Sequence, residues 1–92
     1  MPHTWKYEDD ILVFYLYRYN EDNAISLELV TKFLGFNDNG SVKMRIKNFQ
    51  ACDGQGGLAN FAKLTKQVYN EFLDIDQETH KKKCIAIMES AK

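Results

Sequence analysis

Apolar positions recur along this chain at helical spacing, in five blocks separated by polar breaks. In the first block Trp5, Ile11, Leu12, Phe14, Tyr15, Leu16 and Tyr19 cover a broad face. That pattern predicts a helix that opens near Thr4 or Lys6, runs to about Asn20 and lies centrally in the core. Glu8, Asp9 and Asp10 fall in its first turn, where the helix dipole favours acids. The β-propensity of Val13, Phe14, Tyr15 and Tyr17 leaves a strand as the alternative here. Glu21-Asp22-Asn23 is a break. A second helix follows from about Ala24 or Ser26 to Leu34, with Ile25, Leu29, Val30, Phe33 and Leu34 at helical spacing and Gly35 placed to end it in the left-handed conformation.

Asn37-Asp38-Asn39-Gly40 is a polar turn of residues that tolerate positive φ, and Asn39 or Ser41 can cap what comes next. The stretch GSVKMRIKNF, residues 40–49, admits two readings. With a period of two it is an amphipathic strand, but no partner of matching pattern lies nearby. As a helix from Ser41 to about Gln50 it buries Val42, Ile46 and Phe49, leaves Met44 off the stripe and turns Lys43 and Lys47 to one outer face with Arg45 beside it. The helical reading makes this segment the second helix of a helix-turn-helix.

Asp53-Gly54-Gln55-Gly56-Gly57 reads as a loop. It lacks the strand-before, helix-after setting of a dinucleotide fold and the Gly-Lys-Ser/Thr of a P-loop. A further helix is expected from about Leu58 or Thr65 to Leu73, carrying Leu64, Val68, Tyr69 and Phe72. Asp76 then caps a last helix over residues 77–91, whose stripe is Cys84, Ile85, Ile87 and Met88. The predicted fold is therefore all-α, a helix-turn-helix three-helix core with one or two additional C-terminal helices. Residues 1–75 form the helix-turn-helix domain. Residues 76–92 supply a C-terminal helix packed on it or used for dimerisation.

Composition fits one small domain: 92 residues, 45% hydrophobic, 13% aromatic, one proline and five glycines. The first ten residues lack the basic start and apolar run of a signal peptide, so the two cysteines, Cys52 and Cys84, are expected as free thiols in a cytoplasmic, reducing setting. No membrane partner is expected, because the densest apolar run, ILVFYLY, is seven residues long against the ~20 of a spanning helix. The net charge of −1 hides an uneven distribution. Residues 1–40 carry −4, residues 41–67 carry +4 and the remainder −1. A basic middle between acidic flanks can present one positive face, although few phosphates could be neutralised by it.

Several short matches accumulate in order: Trp5 followed by Glu8-Asp9, Leu16-Tyr17, Leu34-Gly35, Ser41-Val42-x-Met44 leading to Asn48-Phe49, Gly57-Leu58-x-Asn60, and Tyr69-Asn70-Glu71-Phe72. Together they resemble the N-terminal, Myb-like helix-turn-helix region that precedes the nuclease domain in many prokaryotic HNH restriction-type endonucleases. The resemblance spans residues 5–73 and implies a DNA-associated module, in a phage, plasmid or restriction-associated setting. It does not imply a nuclease, since the HNH unit needs histidines on a ββα-metal scaffold and this chain has His3 and His80 alone.

The candidate DNA-binding residues are Ser41, Lys43, Arg45, Lys47, Asn48, Lys63 and Lys66. The lysines would meet phosphates, Arg45 a guanine edge, Asn48 an adenine edge, and Ser41 a phosphate at the helix start. No catalytic residue, cofactor or metal is expected. The first-turn position explains Glu8, Asp9 and Asp10 more simply than a metal does. His80 beside Lys81, Lys82 and Lys83 reads as a solvated histidine, and nothing activates a pairing of Cys52 with it. The aromatic residues Trp5, Phe14, Tyr15 and Phe33 read as core. The expected function is non-enzymatic docking on double-stranded DNA. The alternative is a protein-interaction module, such as a phage-type inhibitor of a host defence complex, working through its acidic helices or through residues 77–91 as a homodimer or partner surface.

Overall fold

The computed structural model describes residues 4–20, 24–53 and 63–90. Among them the chain is all-α: α1 (Tyr7–Tyr19), α2 (Leu27–Leu34), α3 (Gly40–Cys52), α4 (Lys63–Phe72) and α5 (Gln77–Ser90). α1 packs against α2 and α3, α2 also meets α3, and α4 and α5 follow as further helices. The expected break at residues 21–23, the glycine loop and the short match at residues 54–60, a start of α4 at Leu58, His3 and the last residue of the final helix, Ala91, all lie outside the described residues. No helix among the described residues is long and apolar enough to cross a membrane.

α1 is a helix throughout, not the strand its aromatic and β-branched content allowed. Every residue from Asp9 to Leu16 is buried, because α2, α3, α4 and α5 all pack against α1. A helix enclosed in this way carries apolar residues around its whole circumference. Its start is closed by Asp9, whose Oδ2 accepts the Lys6 backbone N–H at 3.0 Å. α2 begins just after Ser26, the later of the two expected starts, and ends at Gly35 as expected. The Ser26 hydroxyl accepts the Leu29 N–H at 3.0 Å, and Gly35 takes the left-handed conformation with φ of 86°, at little strain for a residue with no Cβ.

Cross-helix hydrogen bonds fix the directions of the remaining helices. Asp10 of α1 is bonded to Arg45 of α3 and Thr65 of α4. About two turns further along, Tyr17 of α1 and Tyr69 of α4 both donate to Asp53 at the end of α3. Residue numbers rise together on α1 and α3, so these two lie side by side with the same polarity. Helix α4 instead crosses α1, since Tyr7 at the start of α1 also reaches Glu71 and Phe72 near the end of α4. Between these two levels Phe14 stacks on Phe49, with ring centroids 4.7 Å apart and planes at 11°. α5 runs the other way along α1: Gln77 Nε2 donates to the Tyr15 hydroxyl at 3.2 Å, whereas His80 and Cys84 reach the Ile11 carbonyl.

His80 corrects the sequence reading. It is not solvated beside its lysines but wholly buried, with its Nε2 2.8 Å from the Ile11 carbonyl oxygen. Its ring packs among Phe14, Tyr15, Tyr19 and Phe72. The cause is geometric. His80 stands one turn before Cys84, so it shares the face that α5 presses onto α1, while Lys82 and Lys83 point to solvent. The stripe expected on α5 is largely used in this packing. Cys84 is buried, and Ile87 and Met88 pack against the core.

Candidate nucleic-acid interface

α3 carries most of the residues picked out in the sequence. Its inward side is Val42 and Phe49, both wholly buried, with Ile46 packed against the same cluster. Its outward side presents Ser41, Lys43, Met44 and Lys47, all exposed, and Asn48, half-buried. Four residues make just over one helical turn, so Lys43 and Lys47 stand on one face about 6 Å apart along the axis. Asn48 Nδ2 lies 3.5 Å from the Met44 carbonyl oxygen, the outer limit of a hydrogen bond. The turn before the helix is held by Asp38, whose Oδ1 accepts the Gly40 N–H at 2.9 Å.

The basic character of α3 is uncompensated along its own length. The helix contains no Asp or Glu. Lys32 on α2 and Lys82 on α5, by contrast, each stand 3.7 Å from a glutamate one turn earlier, Glu28 and Glu78. Among the described residues, Lys43 and Lys47 make no ion pair. Like charges one turn apart on a helix repel by roughly 0.2–0.5 kcal/mol, and α3 carries that repulsion openly.

Arg45 departs from expectation, and the reading of it as a guanine-contacting side chain is corrected. Its side chain turns inward and is only 11% exposed. Nε donates to Asp10 Oδ1 and a terminal nitrogen to Asp10 Oδ2, each at 2.7 Å. The guanidinium also lies over the Trp5 ring, 4.6 Å from its centroid, and Trp5 in turn meets Phe36 at 5.7 Å. Asp10 receives a third hydrogen bond, from the Thr65 hydroxyl at 3.2 Å. This fork-on-fork geometry is the strong form of an ion pair. It ties α1, α3 and α4 together at one level and orients the face of α3 that remains outside.

Lys63 and Lys66 are exposed on α4, the helix next to α3. The charge of Lys66 reaches the Cys52 thiol at the end of α3 and pulls its pKa down, although burial pushes that thiol up by more. A thiol held above its ordinary value is a poor nucleophile, and the one hydrogen bond of the His80 ring goes to Ile11. Asp9 and Asp10 are committed to Lys6 and Arg45. Among the described residues no group of three or more His, Cys, Asp or Glu is placed to hold a metal ion.

A second polar cluster fastens the other end of α3. Asp53 accepts hydrogen bonds from the hydroxyls of Tyr69 and Tyr17. Those two donors, Tyr69 first, hold the Asp53 carboxyl below its usual range. Burial and then the bond to Asp53 push Tyr17 up to about 12. The residues lining a recess of about 390 Å³ beside it include Phe14, Arg18 and Leu73. Arg18 spends its guanidinium on the Phe72 and Ile75 carbonyls, at 2.6 and 3.0 Å.

The structure thus brings Ser41, Lys43, Lys47 and Asn48 onto one helix, sets Lys63 and Lys66 on its neighbour and withdraws Arg45. Met44, 61% exposed, joins the outward face without having been counted as a site residue. The available signal was its position off the buried stripe and between two lysines. No protein-family model, no curated protein and no solved structure matches this chain.

Proposed function

We propose that this chain is a non-enzymatic module that docks on double-stranded DNA through the outward face of α3. The observation that carries the reading is the pair Lys43 and Lys47, exposed one turn apart on a helix with no carboxylate. Lys32 on α2 and Lys82 on α5, by contrast, each have a glutamate one turn away. An unscreened like-charge pair is a loss for an isolated protein and a gain beside phosphates, where each neutralised phosphate releases condensed counterions. A 13-residue helix of about 20 Å presents a rod that the major groove accepts. Ser41 stands at the helix start, where a hydroxyl suits a phosphate, although the Gly40 N–H there is already taken by Asp38. Lys63 and Lys66, exposed on the adjoining α4, are the further phosphate contacts this reading takes. The resemblance of residues 5–73 to the Myb-like region of HNH restriction-type endonucleases points the same way.

The rival reading, a protein-interaction module built on α5, has less to stand on. Cys84 is buried and Ile87 and Met88 face the core, which leaves Ile85 as the half-buried remainder of that stripe. The deciding experiment is a fluorescence-polarisation titration of a labelled duplex over a series of salt concentrations, with the wild type and with K43E/K47E. Four lysine–phosphate contacts give a log–log salt slope of about −3 to −4. The double variant should lose binding at unchanged or slightly raised Tm. Binding by the variant equal to the wild type would sink the proposal.

A further inference from the structure

We infer that α3 reads A·T base pairs from the major groove, with Met44 against the thymine methyl group. The inference rests on the proposed docking of α3 on DNA and adds to it the class of sequence recognised. Of the side chains on α3, Arg45, Lys43 and Lys47 are the types that meet the paired O6 and N7 acceptors of guanine, and the two lysines are the ones this reading assigns to phosphates. The guanidinium fork of Arg45 is already filled by Asp10 through two bonds of 2.7 Å and covered by the Trp5 ring. Freeing it would leave a buried carboxylate unpaired, at a loss far greater than one base contact returns. With Arg45 withdrawn and the two lysines on phosphates, guanine is left without a reader on this helix.

What the fold leaves outside is different in kind. Between the two phosphate-seeking lysines stands Met44, an exposed apolar side chain that is unbranched and adaptable in shape. The major-groove edge of a base pair offers one apolar group, the C5-methyl of thymine. Asn48 stands one turn further on the same side, and its amide is the group that pairs with adenine N6 and N7. Lysines on phosphates set the depth and register of the helix, and the residues between them meet the base edges. Charge complementarity selects duplex DNA as the occupant of this face, and the apolar residue at its centre selects thymine within it.

The test compares three labelled duplexes of equal length at one low salt concentration: an A·T-rich sequence, the same sequence with every thymine replaced by deoxyuridine, and a G·C-rich sequence. Uracil pairs as thymine does but lacks the methyl group. The expected result is tightest binding to the thymine duplex. Loss of one buried methyl weakens binding by about fourfold, so the uracil duplex should be weaker by at least that factor. M44A should bind the thymine and uracil duplexes equally while keeping its salt-dependent affinity for both. Equal wild-type affinity for thymine and uracil, a preference for the G·C duplex, or an M44A variant that still discriminates would each overturn the inference and leave DNA docking standing. Absence of salt-sensitive binding to all three duplexes would overturn the docking itself and this inference with it.

Discussion

Asp10 and Arg45, 35 residues apart in sequence, meet inside the protein through two parallel hydrogen bonds of 2.7 Å, with the carboxylate wholly excluded from solvent. A buried charge is tolerated when it is paired and hydrogen-bonded, and becomes a large loss when its partner is removed. R45M should therefore destabilise the protein by about 3–5 kcal/mol. The triple change D10L/R45M/T65V removes the charge, its partner and the hydroxyl that would otherwise be stranded. It should recover most of that loss. Urea denaturation of both variants checks this. A triple variant no more stable than R45M alone would show that the site contributes through packing and not through charge pairing.

His80 makes stability depend on pH in a direction that can be worked out. The Ile11 carbonyl can only accept, so Nε2 carries the proton and donates, and the bare Nδ1 is buried with no hydrogen-bond partner. Adding a proton to Nδ1 would place a charge among four aromatic rings. Burial accordingly pushes the pKa down to about 4, helped by the charge of Arg18 and opposed by the bond to Ile11. In the unfolded chain the same group titrates near 6.5. Between those values the unfolded state binds the extra proton and the folded state does not. The contribution of His80 is fully present above pH 6.5 and falls as pH drops toward about 4. At 1.36 kcal/mol for each pH unit of displacement the loss is on the order of 3 kcal/mol. H80Q should be less stable at neutral pH and should flatten the stability profile across that window. A wild-type profile that is already flat there would contradict the burial of a neutral ring.

Two of the buried polar residues, Asp10 and His80, were not legible in the sequence. Local chemistry was enough for α2, where Ser26 and Gly35 bound the helix, and for α3, where the spacing of Val42, Ile46 and Phe49 separates buried from exposed positions. Asp10 and His80 needed more. Asp10 lies on the same stripe as Phe14 and Tyr17, four and seven residues on, and a charge on an apolar stripe demands a partner. Its place in the first turn offered a sufficient local explanation instead. The partners, Arg45 and Thr65, lie 35 and 55 residues away, and adjacency at that distance is a property of how helices pack. His80 was hidden by the three lysines after it. The sign that it is buried is its spacing of four from Cys84, visible once Cys84 is known to face α1. On the candidate site, the exposure of Lys43 and Lys47 was legible from periodicity and the withdrawal of Arg45 was not.

The ends of α2 allow a test of local energetics free of core effects. S26A removes the acceptor of the Leu29 N–H and should destabilise by about 1 kcal/mol. Around Gly35 nothing lies within 4 Å of where a Cβ would stand, so a side chain there meets no steric clash. The loss in G35A is the conformational one alone, about 1–2 kcal/mol for an L-residue held in the left-handed region. G35N should lose less, because asparagine visits that region more readily. Thermal melts of the three variants give the comparison. A G35N protein no more stable than G35A would contradict the left-handed cap.

The charge arrangement of α3 predicts opposite effects of one substitution on stability and on binding. Lys43 lies near the start of the helix, where the dipole disfavours a cation, and one turn before Lys47, which repels it. K43E reverses both relations. It places an acid near the positive end of the helix and creates a glutamate-to-lysine pair at the favourable spacing and orientation. The protein should gain roughly 0.5–1 kcal/mol. The same change turns a phosphate-seeking group into a phosphate-repelling one. Duplex affinity should fall, and the salt slope should lose about one unit for the missing contact. Higher stability with weaker, less salt-sensitive binding is the outcome expected of a helix whose charges are set for a partner and against its own stability. A K43E protein that is less stable than the wild type, or one that binds duplex with an unchanged slope, would remove the reason for assigning this face to DNA.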